Sequence, residues 1–100
     1  MRFCLAGTLV RSGGHDEDKA FSIEELFDAK NRKMAIVIAR AMIQSQKLKE
    51  EKRKNSVSRL VAVLENDSKQ IIWRTNLVLE LTRTKMVASE RFEEEVLYTY

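Results

Sequence analysis

The sequence predicts an all-α protein, with long antiparallel helices forming a dimeric helical bundle behind a short non-helical N-terminal leader. Three observations predict it. The chain of 100 residues has no proline, and its only glycines are Gly7, Gly13 and Gly14, so no backbone breaker follows residue 14. Apolar residues recur at spacings of three, four and seven through much of the chain after residue 21. Between residues 30 and 59 the cations Lys30, Arg32, Lys33, Arg40, Lys47, Lys49, Lys52, Arg53, Lys54 and Arg59 face only Glu50 and Glu51, as on an exposed helical rod.

Taken in order, residues 1–20 form the leader and residues 21–100 the helical domain. Residues 3–10 have the composition of a strand but no evident partner, so the leader is expected to be flexible or loosely packed. Residues 11–19, with Gly13 and Gly14, read as a loop. Phe21-Ser22-Ile23-Glu24-Glu25-Leu26 has the form of a capping box with a hydrophobic staple, which starts a helix at Ser22. Met34, Ile38, Ala41 and Leu48 then share one helical face, and Ile36 and Ile43 another. Helical from 22 to about 54, this element would run roughly 50 Å. Such a rod outreaches a globule of this size, so a partner chain is expected to cover part of it. Val57, Leu60, Val61 and Leu64 continue the helical spacing, and Glu65-Asn66-Asp67-Ser68 is the candidate turn. A second capping box, Asp67 with Gln70, opens a last helix. It carries Ile72, Leu79 and Met86 in one row and Trp73, Leu77 and Leu81 in the next.

Composition narrows the function classes. One hundred residues support one modest core rather than a core and a roomy catalytic cleft. Cys4 is the sole cysteine, so neither an internal disulfide nor a cysteine zinc site can form, and a reducing, cytoplasmic setting is expected. No apolar run approaches the ~20 residues of a membrane span. His15, among Asp16, Glu17 and Asp18, reads as a solvated loop residue, and Cys4 has no placed base. Neither an enzyme nor a bound cofactor or metal is expected.

Charge carries what functional signal there is. The 30–59 segment holds +8 and the rest of the chain −5, leaving +3. Lys33, Arg40, Lys47 and Lys54 follow one another at seven-residue intervals. On a helix they line up, drifting only ~20° per step. Such a row can track nucleic-acid phosphates. Its bland counterpart is a solvated lysine-rich face, partly neutralised by Glu50 and Glu51. Trp73 could stack on a base, although its spacing with Leu77 and Leu81 reads as a core anchor. Glu93, Glu94 and Glu95, with Tyr98 and Tyr100, form an acidic tail or a docking segment.

The stretch Lys52-Arg53-Lys54-Asn55-Ser56-Val57-Ser58-Arg59-Leu60-Val61, with Leu64 beyond, mixes cations and hydroxyls beside an apolar face. It resembles a segment in the middle helix of the small nodavirus RNA-silencing suppressors. The resemblance implies a four-helix homodimer lying along double-stranded RNA and contacting its phosphate backbone without sequence preference. It would place Lys52, Lys54, Ser56, Ser58 and Arg59 toward RNA, and Val57, Leu60, Val61 and Leu64 at the helix-packing face. The leading expectation is therefore a viral suppressor of RNA silencing in the host-cell cytoplasm. Its RNA-binding residues would be Lys33, Arg40, Lys47, Lys52, Lys54, Ser56, Ser58 and Arg59. The alternative is a helical or coiled-coil interaction or assembly module of a virus or phage, gripping an acidic host protein without nucleic acid. A DNA-binding regulator is weaker, since no short recognition helix follows a glycine turn.

Overall fold

Val57-Ser58-Arg59-Leu60-Val61-Ala62-Val63-Leu64 alternates between two sets of side chains, and it is this period of two that the chain follows. In the computed structural model, which describes residues 1–12, 19–52, 57–81 and 87–97, it forms a strand. The elements are β1 (Arg2–Ser12), β2 (Lys19–Asp28), α1 (Arg32–Glu50), β3 (Val57–Asn66), β4 (Ile71–Leu81) and β5 (Val87–Val96). The strands make one antiparallel sheet in the order β2-β1-β3-β4-β5. The helix α1 lies across one side, nearest β3 and β4.

The all-α bundle is therefore corrected to a sheet with one covering helix. Residues 2–12, expected as a leader, form an inner strand paired along its length with both β2 and β3. The capping box at Ser22 caps nothing, because residues 19–28 pair with β1 over ten consecutive positions. That ladder outweighs one local capping signal. The helix starts instead at Asn31, whose side chain accepts from the Met34 amide at 2.9 Å. It ends at Glu50, inside the expected 22–54 rod but little more than half its length. The last expected helix is the β4–β5 hairpin.

The expected turn near residue 66 is present. Asn66 Oδ1 accepts from the amides of Ser68 at 3.0 Å and Gln70 at 2.9 Å. Lys69 takes the left-handed conformation, φ 65°, that closes this short connection.

Register sorts the side chains. Phe3, Leu5 and Leu9 of β1 share a side with Leu60, Ala62 and Leu64 of β3 and with Trp73, Leu77 and Leu79 of β4. Ala35, Ile36, Ala39 and Ile43 of α1 close over them, and all are buried. Phe27 stacks on Phe3 with ring centroids 6.0 Å apart. Gly7 sits opposite Ala62, where an added Cβ would meet the Val61 carbonyl oxygen and lie 2.8 Å from the Ala62 Cβ. A side chain there would force β1 off β3.

Candidate interaction surfaces

The other side of the sheet has no cover among the described residues. Its centre is small and apolar: Ala6 opposite Val63 and Thr8 opposite Val61, with Val10 and Val78 on either side of Arg59. Val61 is 48% exposed. Around this centre the carboxylates Glu24, Asp28, Glu65, Glu80, Glu93 and Glu95 outnumber Arg2, Arg59, Arg74 and Arg91. Three arginines are already engaged: Arg2 with Asp28 at 3.7 Å, Arg74 with Glu95, and Arg91 with Glu93 at 3.0 Å. Glu24, Glu65 and Glu80 have no cation partner among the described residues, so the open face is acidic. A groove of about 500 Å³ lies between β3, β4 and β5, lined by Val61, Val63, Arg74, Asn76, Glu93 and Glu95 among others. There Asn76 Oδ1 is shielded from solvent without a hydrogen-bond donor.

This face bears no aromatic side chain among the described residues. Phe3, Phe21, Phe27, Trp73 and Phe92 all fall on the covered side by register. A stacking platform for bases is thus missing from the described sheet, and Trp73 is the core anchor its spacing suggested.

The outward side of α1 is the second uncovered surface. At 100° per residue, Met34, Val37, Ala41 and Leu48 fall on one stripe opposite the buried face. Val37 is 53% and Leu48 61% exposed. Lys33 borders the stripe on one flank and Lys49 on the other, with Lys52 just past the end of the helix. All three are exposed and have no carboxylate partner among the described residues. This surface is apolar in the middle and basic at its edges.

The cation row expected at Lys33, Arg40 and Lys47 does share a helix flank, but two of its members are engaged. Arg40 makes two bonds to the Glu94 carboxylate, at 2.8 and 2.7 Å, and the Trp73 indole donates to the same group at 3.1 Å. The Arg40 hydrogen bond, opposed by desolvation, holds the Glu94 carboxyl below its ordinary value of 4.5. Lys47 lies 2.5 Å from Glu90 and 3.9 Å from Glu51. These contacts staple α1 to β5. Lys54 and Ser56 lie outside the described residues. Ser58 is buried under α1 and so faces no ligand, while Arg59 is exposed on the opposite side of β3. Val57 and Val61 likewise face the open side, and Leu60 and Leu64 the core. The six described members of that expected set do not share one surface, since Ser58 is buried and Arg59 lies on the side of the sheet away from α1.

A buried ion pair ties the far end of the helix. Arg11 Nε donates to Glu50 Oε1 at 2.7 Å, and the Arg11 guanidinium lies 4.7 Å from the Phe21 ring centre. Glu50 is only 2% exposed. The pair ties β1 to the C-terminal end of α1. Cys4, on the open face, is a poor nucleophile: burial, then Glu24 and Glu65, push its thiol above the ordinary 9.0, against a smaller opposing pull from Lys69. No cluster of three metal-ligating side chains occurs among the described residues, and no helix there is long and apolar enough to cross a membrane.

The period-two pattern of residues 57–64 was the signal that could have located the open face. Comparison with protein families, curated proteins and solved structures finds no match to the chain.

Proposed function

We propose that the protein is a non-catalytic assembly module that associates with its own kind through the uncovered face of the sheet. The observation that carries this is the pairing of an open apolar centre, Ala6, Val10, Val61, Val63 and Val78, with a sheet already complete on its other side. A sheet buries its apolar side chains against another element, and among the described residues one side lacks that element. The test is sedimentation velocity over a range of protein concentrations. The parent chain is expected to exceed its one-chain mass of 11.6 kDa as concentration rises, and Val61→Lys to stay at that mass. A parent chain that remains at one-chain mass, or a Val61→Lys variant that associates like it, refutes the reading.

A second reading is favoured by Lys33, Lys49 and Lys52: contact with the phosphates of duplex RNA through the outer side of α1. The four-helix architecture implied by the suppressor resemblance does not carry over, since its matching segment includes β3. Such binding would be indifferent to base sequence and sensitive to salt. A gel shift with duplex RNA decides it: the triple Lys33→Ala, Lys49→Ala, Lys52→Ala variant should lose binding, and retained binding rejects this reading.

A further inference from the structure

We infer that the protein assembles head to tail, the outward stripe of α1 in one copy lying on the open sheet face of the next. This rests on the proposed reading of the open face and names its occupant.

Charge selects the arrangement. Sheet against sheet would bring Glu24, Glu65 and Glu80 of one copy toward the same residues of another. Helix against helix would oppose Lys33, Lys49 and Lys52 in the same way. Helix against sheet sets three uncompensated lysines over a face whose unpaired charges, among the described residues, are Glu24, Glu65 and Glu80 against Arg59, and like-charge juxtaposition is what suppresses a wrong pairing.

Size agrees with charge. A helix of 19 residues is about 28 Å long, and strands of 10 or 11 residues run roughly 35 Å. One such helix already covers the opposite side of these five strands, burying Ala35, Ile36, Ala39 and Ile43. The outward stripe offers a comparable set in Met34, Val37, Ala41 and Leu48. Small side chains at the centre of the open face, Ala6 and four valines, leave room for a helix to settle. The next copy's helix would complete a layer order of helix, sheet, helix, sheet.

A contact between unlike surfaces leaves one free stripe and one free face on every growing assembly. It therefore continues as an open chain unless its rotation closes a ring. The expected mass of the parent protein rises with concentration rather than stopping at two copies.

Two variants test the inference by complementation. Leu48→Glu spoils the stripe and leaves the sheet face intact; Val61→Lys spoils the sheet face and leaves the stripe intact. Both residues are well exposed, and melting curves close to that of the parent establish that each variant folds. Each variant alone is expected to sediment as one chain, and an equimolar mixture to form a one-to-one pair that does not grow further. If Leu48→Glu alone still associates while Val61→Lys does not, the contact is sheet to sheet; the inference fails and the proposed function stands. If Val61→Lys alone still associates, or the parent never exceeds one chain, both fail. Two monomeric variants that do not pair on mixing also overturn the inference, because unlike surfaces must complement.

Discussion

The two sides of the sheet are built from the same strands and differ in nearly every property. Under α1 lie Trp73, Phe3, Leu5, Leu60, Leu64 and Leu79, large and buried. On the open side the same strands present Ala6, Thr8, Val10, Val61, Val63 and Val78, small or β-branched, within a charged rim. The difference separates two jobs. Bulk on the covered side holds the fold, at roughly 1.5–3 kcal/mol for each large side chain removed from water. The open side contributes β-propensity and cross-strand contacts but excludes little water by itself. Substitutions on the two sides should therefore act on different observables.

The largest stability effect belongs to the covered side. Trp73→Ala removes a fully buried indole and should cost about 3–5 kcal/mol. In a domain of this size that lowers the melting temperature by more than ~12 °C in a calorimetric scan. A shift of a few degrees would place Trp73 outside the folding core.

Next comes the buried ion pair. Arg11→Met leaves the Glu50 carboxylate inside the protein without its cation and should cost about 3 kcal/mol. Adding Glu50→Leu should restore at least half of that loss, because an apolar pair needs no counter-charge. A double variant as unstable as the single one would show that the damage was packing rather than charge.

Smaller still is the Arg40–Glu94–Trp73 contact. Glu94→Gln should destabilise by about 1–2 kcal/mol at neutral pH. Glu94 has a depressed carboxyl pKa, so its contribution is present above 4.5 and fades as pH falls through the folded-state value. The parent and the variant should accordingly converge in strongly acidic solution. A gap that stays constant with pH would remove the ionic component.

The smallest stability effect is expected on the open side. Val61→Lys should change stability by less than ~0.5 kcal/mol while abolishing association. Equal loss of both would merge the two sides and remove the distinction between them.

How far the sequence spoke follows from the same alternation. A spacing of four is even, so it keeps residues together on a strand as well as on a helix. Trp73 and Leu77, or Leu60 and Leu64, fit both periods, and the helical reading took them without contest. Ile71, Ile72, Trp73, Thr75 and Val78 are β-branched or aromatic, which favours a strand. The absence of proline and glycine was read as helical continuity, yet strand interiors are depleted in both as well. What was legible was the helical core of 32–50 with its basic flank, and the turn at Asn66; the outward stripe was legible only in part, since Val37 and not Ile38 joins Met34, Ala41 and Leu48 on it. The pairing of β1 with β3 was not legible, because pairing across more than forty residues leaves no local mark, and its neighbour β2 was missed because the capping box at Ser22 was read as a helix start. The seven-residue cation row was visible, but its neutralisation was not: Glu90 and Glu94 meet Lys47 and Arg40 only through the register of β5.

The central claim, that the open face is the surface on which copies meet, is met most directly by methyl spectra recorded on dilution. Signals of Val10, Val61, Val63 and Val78, with those of Val37 and Leu48 on the helix stripe, should move with concentration while Leu5, Leu60, Leu64 and Leu79 stay fixed. Open-face valine methyls that do not shift over the same range would contradict the account.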